Sequence, residues 1–244
     1  MAKPPERAPA PAGSTEPAAR STRADIDAFL ARVRELDQPR PAGERARLVF
    51  ALDATMSRQP TWDTACRLQA DMFNETAAIG GLDVQLVYFR GLSECRASRF
   101  VSEPRTLAGL MEKIECRGGH TQISKILAHT KRETEAKRIQ ALVFVGDAME
   151  ESLDDLCASA GELGLRGVPV FMFQEGHDPV AETAYREIAR LSRGAYCRFN
   201  AGAAHELGEL LRAVAAYASG GLKALTRLSA GKNSGALLLL EQLR

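Results

Sequence analysis

Three oxygen-bearing side chains alternate along the sequence directly after a short apolar run. The run is Leu48 to Leu52, and Asp53, Thr55 and Ser57 follow it. Carboxylate and hydroxyl oxygens, without His or Cys, are the donors that suit a hard cation such as Mg²⁺ or Mn²⁺. The residue types and their spacing therefore predict one side of a divalent-metal site.

A second carboxylate and a third hydroxyl occur in two later segments. Asp147 follows the apolar run Ala141 to Val145, and Thr121 comes after two glycines at the predicted opening of a helix. In an open parallel sheet, ligands bind outside the carboxyl ends of the strands, where the strand order reverses. With the order 3-2-1-4-5-6, Asp53 and Asp147 face each other across that point. Two carboxylates about 4 Å apart repel by about 4 kcal/mol at an effective dielectric near 20, and a cation relieves the repulsion.

The elements that must position these residues are apolar strands alternating with helical periods. The predicted strands are Arg47 to Leu52, Val84 to Phe89, Ala141 to Val145, Val168 to Phe173 and Tyr196 to Phe199. Arg99 to Ser102, after a turn at Arg90 to Glu94, is predicted to be a short antiparallel edge strand. Apolar residues at helical spacing lie in Trp62 to Ile79, Leu153 to Leu163, Val180 to Leu191 and Leu207 to Val214. The predicted fold is α/β and doubly wound, a Rossmann-like three-layer sandwich whose mostly parallel central sheet is flanked by helices.

The chain divides into four predicted segments. Residues 1–22 are a Pro- and Ala-rich arm, predicted to be disordered because this composition buries too little apolar surface to offset chain entropy. Residues 23–37 form an amphipathic helix, 45–219 the main domain and 220–244 a helical tail. We expect the leucines of the tail to pack against the domain rather than against a partner.

Composition excludes several classes of function. The 244 residues carry 32 Lys and Arg against 31 Asp and Glu, a net charge of +1, which argues against a charge-driven nucleic-acid or membrane partner. No apolar run reaches the roughly 18 residues of a membrane span, and the N-terminus lacks the apolar stretch of a secretory signal. A cytoplasmic protein is expected. The five cysteines lack C-x-x-C spacing, so neither a disulfide framework nor a zinc site is predicted.

The set Asp53-Ala-Thr55-Met-Ser57, then Thr121, then Asp147 resembles a known motif. It is similar to the metal-ion-dependent adhesion site (MIDAS) of the von Willebrand factor A (VWA) family, here of the bacterial intracellular type, written D-x-S-x-S, then T, then D. The resemblance spans roughly residues 47–217, with Thr55 in place of the first serine. It implies that these five residues bind Mg²⁺ or Mn²⁺ directly or through water. The open coordination position would accept an Asp or Glu of a protein partner, so binding rather than catalysis is expected.

Four further residues are candidates for the rim that meets the partner. Arg58 and Gln59 follow the hydroxyl loop, His120 precedes Thr121, and Glu150 follows Asp147 closely. Glu150 also belongs to an acidic cluster that is predicted to occupy the first turn of a helix, where the helix dipole favours negative charge. The other members of this cluster are Glu151, Asp154 and Asp155.

Three alternatives remain open from the sequence. The first is the same fold without a metal, its aspartates capping helices. The second is a haloacid dehalogenase-like phosphohydrolase that depends on Mg²⁺, with Asp53 as nucleophile, although Thr55 stands where that chemistry normally has a general-acid carboxylate. The third is a scaffold that binds partners through its leading helix and tail, independently of metal.

Overall fold

The computed structural model describes residues 44–59, 62, 81–200 and 204–243. The predicted arm at 1–22, the predicted helix at 23–37 and all but Trp62 of the helix predicted up to Ile79 lie outside the described residues. Among the described residues, no helix is long and apolar enough to cross a membrane.

A six-stranded sheet forms the centre of the described part of the chain. Its strands are β1 (Ala46–Asp53), β2 (Leu82–Arg90), β3 (Glu94–Val101), β4 (Ala141–Gly146), β5 (Val170–Glu175) and β6 (Tyr196–Phe199). The spatial order is β3-β2-β1-β4-β5-β6, and only the β2–β3 pair is antiparallel. The strand order therefore reverses between β1 and β4, as the sequence predicts.

Helices cover both faces of this sheet. They are α1 (Pro104–Met111), α2 (Ile123–Ala136), α3 (Leu153–Leu165), α4 (Pro179–Ser192), α5 (Ala204–Ala230) and α6 (Ser234–Gln242). Alternate residues of β1 enter two separate cores because successive side chains of a strand point to opposite faces. Leu48 and Phe50 pack with α1, α5 and α6, whereas Val49 and Ala51 pack with α2, α3 and α4. The predicted three-layer α/β fold is confirmed.

The edge strand β3 is longer than the sequence indicates. It begins at Glu94 rather than Arg99, and its register against β2 shifts between Gln85 and Val87. Most of its side chains are exposed or half-buried, so the strand lacks the apolar run that marks the other five. The predicted turn shortens to residues 91–93, because Arg90 and Glu94 already pair across the two strands.

The C-terminal tail packs against the domain, as expected. Helix α5 is interrupted at Gly221, whose positive φ of 63° suits glycine, and it continues to Ala230 before α6 begins. Leu225 and Leu239 are fully buried in the core beneath α5 and α6. Gln242 then reaches the last strand: its side-chain amide accepts from the backbone nitrogen of Tyr196 and donates to the backbone oxygen of the same residue, both at 2.8 Å.

Candidate functional site

The loop after β1 is folded tightly around Asp53. The Asp53 side chain is fully buried, and its Oδ1 accepts a hydrogen bond of 2.7 Å from the backbone nitrogen of Thr55. An aspartate that bonds to the backbone two residues later stabilises a local turn. The Thr55 hydroxyl then lies 3.1 Å from the hydroxyl of Ser57, which is exposed at the start of a short 3-10 helix, Met56–Arg58. One carboxylate and two hydroxyls therefore lie close together in the five residues 53–57.

The loop after β4 brings a second carboxylate to the same edge of the sheet. Leu52 and Val145 are paired in the β1–β4 register, so Asp53 and Asp147 leave neighbouring strands one and two residues later. Adjacent strands are about 4.8 Å apart. The Tyr185 hydroxyl donates to the backbone oxygen of Ala148 at 2.8 Å and holds this loop from α4.

Each of the two aspartates has one buried oxygen without a hydrogen-bond partner among the described residues. These atoms are Oδ2 of Asp53 and Oδ1 of Asp147. A buried carboxylate oxygen that accepts no hydrogen bond is costly, because it has lost its water and gained nothing in return. Such atoms in adjacent loops can accept a cation or a hydrogen-bond donor.

Thr121 joins this edge through two reciprocal hydrogen bonds. Its backbone nitrogen donates to the Glu150 carboxylate at 3.1 Å, and its hydroxyl oxygen accepts from the Glu150 backbone nitrogen at 2.9 Å. A hydroxyl has two acceptor lone pairs, so the oxygen of Thr121 retains capacity for one more partner. Thr121 is buried and precedes α2, which begins at Ile123.

The acidic cluster after β4 divides between two helices rather than occupying the first turn of one. Helix α3 begins only at Leu153, so just Asp154 and Asp155 lie in its first turn. The Glu151 carboxylate instead accepts from the first backbone nitrogens of α2, those of Ile123 and, at 3.0 Å, Ser124. The free N–H groups at a helix start attract a carboxylate from any part of the chain, which explains the difference from the prediction.

The two glycines before Thr121 have different roles. A side chain on Gly119 would meet the backbone oxygen of Gly91 at 1.9 Å, whereas Gly118 has no atom within 4 Å of that position. The backbone nitrogen of His120 donates to the same Gly91 oxygen at 3.2 Å. The predicted close backbone approach is therefore real at Gly119, and it anchors the Thr121 loop to the β2–β3 turn.

Asp53, Thr55, Ser57, Thr121 and Asp147 form the candidate site, here called the crevice, and Arg58 is not on its rim. It is fully buried, and its guanidinium forms an ion pair with Glu175 at the end of β5. The sequence places Arg58 on the rim because it follows the hydroxyl loop, where a charged side chain usually remains in solvent. The cause of the difference is a third carboxylate at the same edge of the sheet, which supplies a buried partner for the guanidinium.

Burial and charge perturb the ionisable groups of this crevice. Burial raises the pKa of the Asp53 carboxyl to about 6, and the negative charge of Asp147 adds to the rise, while hydrogen bonds from Thr55 and the charge of Arg58 oppose it. Burial lowers the pKa of the Arg58 guanidinium, and Asp147 and Asp53 oppose that shift. Burial also raises the pKa of Tyr185 well above its usual value, with further contributions from both aspartates. These groups share one electrostatic environment.

The remaining predicted rim residues are at the surface. Gln59 is exposed, and the His120 side chain is 65% exposed and lies 3.2 Å from the half-exposed Glu150 carboxylate. Met56, which no sequence pattern marks as a site residue, is 59% exposed between Thr55 and Ser57. Trp62 belongs to the core, and its indole nitrogen donates to the backbone oxygen of Met111.

The residues of the crevice fit a divalent cation held by oxygen atoms. Within the described part of the chain, no three His, Cys, Asp or Glu side chains form a metal cluster. The crevice instead offers two carboxylates with unpartnered oxygens, from Asp53 and Asp147, and three hydroxyls. These donors carry two negative charges and are all oxygen atoms, which suits an ion that keeps several waters.

The sequence does not predict two polar residues near the crevice, Glu175 and Tyr185. Glu175 follows the same rule that identifies Asp53 and Asp147, a carboxylate at the carboxyl end of a strand, but the predicted strand ends at Phe173 and leaves it outside. Tyr185 lies within the apolar face of α4 and carries no signal of its own.

Comparison with known proteins supports the architecture. No family model and no curated protein sequence matches the chain. Among solved structures, an aerotolerance-related membrane protein from Bacteroides fragilis aligns at 17% identity with a TM-score of 0.55, covering 68% of this chain and 96% of the other. The VWA domain of SpRpn10 aligns at 10% identity with a TM-score of 0.53, covering 67% and 95%.

A third solved structure is that of a protein that holds a metal ion. Proximal thread matrix protein 1 from the mussel byssus, with a zinc-occupied MIDAS motif, aligns at 14% identity with a TM-score of 0.58, covering 70% of this chain and 46% of the other. Identities this low establish shared architecture. This protein has the fold of a von Willebrand factor A domain.

Proposed function

We propose that this protein binds a divalent metal ion in the crevice and holds a protein partner through that ion. The observation that carries the proposal is the pair of buried carboxylate oxygens, on Asp53 and Asp147, that have no hydrogen-bond partner among the described residues. Oxygen donors without His or Cys favour Mg²⁺ or Mn²⁺. The bound ion would supply a positive charge with an open position for an Asp or Glu side chain of a cytoplasmic partner.

Each residue of the crevice has a distinct role in this proposal. Asp53 and Asp147 provide the negative charge, directly or through water. Thr55 and Ser57 present neighbouring hydroxyls, 3.1 Å apart, and Thr121 presents a third that is fixed by its bond to the Glu150 backbone. A neutral hydroxyl adds a ligand without adding charge, so the ion keeps enough positive charge to attract a partner carboxylate.

Binding rather than phosphoryl transfer is supported by Thr55. A phosphohydrolase with Asp53 as nucleophile normally needs a general-acid carboxylate two residues later, where this chain has a hydroxyl that lies 3.1 Å from the hydroxyl of Ser57. Turnover of a generic aryl phosphate that is lost in Asp53→Asn would overturn this ranking and favour the phosphohydrolase.

Calorimetric titration with Mg²⁺, Mn²⁺ and Zn²⁺ tests the metal. We expect heat of binding for the wild type, and a loss of at least tenfold in affinity for Asp147→Asn, which keeps the shape of the side chain but removes its charge. Asp83→Asn is the matched control, because Asp83 lies near the start of β2, at the opposite edge of the sheet, and pairs with Arg45. Equal affinities for wild type and Asp147→Asn would contradict the proposal.

The partner is tested by capture with and without a chelator. We expect proteins captured by the immobilised wild type to be released by EDTA and to be absent from Asp147→Asn, and cross-linking with mass spectrometry then identifies the acidic residue in contact. Capture that persists in EDTA and with Asp147→Asn would favour a metal-independent scaffold instead.

The exposed Met56 side chain offers an apolar contact beside the proposed ion. Met56→Ala is expected to weaken partner capture about tenfold while leaving metal affinity unchanged, because a flexible apolar side chain at the centre of an interface contributes through burial. Leu165→Ala is the control, since Leu165 is 69% exposed at the end of α3, the last helix before β5. Equal losses of partner capture for Met56→Ala and Leu165→Ala would mean that the partner does not contact Met56 specifically.

A further inference from the structure

Arg58 introduces a buried positive charge into the crevice. Its side chain is 0% exposed and forms an ion pair with Glu175 at the end of β5. Arg58 follows Ser57 in the loop after β1, and β4 lies between β1 and β5 in the sheet. The Arg58 side chain therefore reaches across the end of β4, the strand that leads to Asp147.

The charges at this edge do not balance by themselves. Among the described residues, three carboxylates follow or end three adjacent strands, those of Asp53, Asp147 and Glu175, and the guanidinium of Arg58 is the buried positive charge that lies with them. Three negative charges and one positive charge leave two negative charges, the amount that one divalent ion neutralises. In a poorly hydrated site, like charges repel and opposite charges attract far more strongly than in water. The guanidinium thus attracts the carboxylates and repels an incoming cation.

We propose that Arg58 is a resident cation of the crevice, which holds the loop after β1 in place when no metal is bound and weakens metal binding when an ion enters. The first part concerns the folded chain alone, and the second rests on the proposed function. The loop spans Asp53 to Ser57, and Arg58 ties its far end to β5 by a contact that needs no metal. The metal-free protein is consequently a folded state ready to bind, and the ion exchanges rather than remaining permanently bound.

Unfolding of the metal-free protein tests the first part. Arg58→Met should lower the melting temperature in EDTA by about 6 °C or more, since it removes the buried cation that pairs with the Glu175 carboxylate. The double variant Arg58→Met/Glu175→Gln removes both charges and should recover most of that loss. Without added divalent metal, the wild type should melt at the same temperature with and without EDTA. A single variant as stable as the wild type, or a double variant no better than the single one, would overturn this part.

Calorimetric titration with Mn²⁺ tests the second part. Arg58→Met should bind Mn²⁺ at least tenfold more tightly than the wild type, whereas Arg58→Lys keeps the charge and should bind within about threefold of it. Arg47→Met is the matched control: Arg47 also pairs with a glutamate, Glu133, but it lies six residues before Asp53 on β1, about 20 Å away, and its removal should not change the affinity.

The Mn²⁺ affinities distinguish a failure of the proposed Arg58 role from a failure of metal binding itself. Equal Mn²⁺ affinities for wild type and Arg58→Met overturn the second part, that Arg58 weakens metal binding, and leave metal binding itself intact. If no folded variant, including the double variant, produces heat with Mn²⁺, metal binding itself and the second part of the inference are wrong. The role of Arg58 in holding the loop is then decided by the melting temperatures alone.

Discussion

Charged residues lie in different environments at the edge of the sheet where the parallel strands begin and at the edge where they end. At the edge where β1 and β2 begin, Arg45 pairs with Asp83 at 2.7 Å and Arg47 pairs with Glu133 at 3.2 Å. Asp83 and Glu133 are each 26% exposed in their side chains. At the edge where β1 and β4 end, Asp53 is fully buried and leaves one oxygen without a hydrogen-bond partner.

Under the proposed function, this difference separates charges that serve the fold from charges that are available to a ligand. Ion pairs that remain partly hydrated contribute little to stability and cost little, so they are tolerated wherever strands begin. Buried carboxylates are expensive, and a chain retains them at the ends of strands where a ligand can compensate the cost. Stability measurements should therefore respond differently to the same substitution at the two edges.

The largest expected effect is that of neutralising Asp53. Because burial raises the pKa of Asp53 from 3.8 to about 6, the ionised form is disfavoured in the folded state, and Asp53→Asn should raise the free energy of unfolding by about 3 kcal/mol at pH 7.5 in EDTA. Asp83→Asn, at the other edge, should instead lower it by about 0.5 kcal/mol. Urea denaturation measures both values.

The same shift predicts the pH dependence of the wild type. An acid whose pKa is raised on folding binds its proton more tightly in the folded state, so stability is lost as the pH rises from 3.8 through 6 and the full cost applies above 6. The difference in free energy of unfolding between Asp53→Asn and the wild type should accordingly be about 1 kcal/mol smaller at pH 5 than at pH 7.5. An advantage that does not change with pH would mean that the charge of Asp53 is compensated within the protein.

A smaller effect on the free energy of unfolding is expected from substituting Gly119 and Gly194, which lie against a neighbouring backbone at opposite edges of the sheet. A side chain on Gly119 would meet the Gly91 oxygen at 1.9 Å, and one on Gly194 would meet the Val170 oxygen at 2.0 Å. Substitution of either by alanine should lower the free energy of unfolding by about 2 kcal/mol, because backbone atoms must move. Only Gly119→Ala should also weaken Mn²⁺ binding in calorimetry, since only Gly119 adjoins the Thr121 loop. Weakened binding in both variants would remove the distinction between the edges.

The smallest expected effect compares two glutamates. Glu151 accepts from two backbone nitrogens at the start of α2, while Glu133 accepts from Arg47 at the other edge. Glu151→Ala should cost about 1 kcal/mol through loss of a helix cap, and Glu133→Ala about 0.5 kcal/mol. Thermal unfolding of the two variants measures the difference. Equal values would mean that Glu151 is not a structural cap and is available to the crevice.

Most of the fold follows from the sequence because parallel strands are buried on both faces. The apolar runs of β1, β4 and β6 are unmistakable, and the predicted boundaries differ from the observed ones by no more than one residue. The strand order then places Asp53 beside the loop of Asp147, as predicted. The strand β3 was predicted too short because an exposed edge strand carries no continuous apolar signal.

The candidate site is less predictable because its contacts join distant parts of the chain. The pairing of Arg58 with Glu175 depends on where a side chain folds after leaving β1, and local sequence reads such an arginine as solvent-exposed. The attachment of Glu151 to the start of α2 has the same origin: a carboxylate and a helix end meet only when the sheet has formed. Periodicity predicts the elements, and these pairings come from tertiary structure.

The amide of Gln242 has a consequence for association. The last strand of a sheet exposes a row of unpaired backbone groups, to which another chain can add a strand. Because Gln242 occupies both the nitrogen and the oxygen of Tyr196, α6 obstructs the start of β6 in the way that a neighbouring strand would. We expect removal of the last nine described residues to leave the Tyr196 backbone groups unpaired and to expose Leu225, and the truncated protein should therefore aggregate more readily than the full chain.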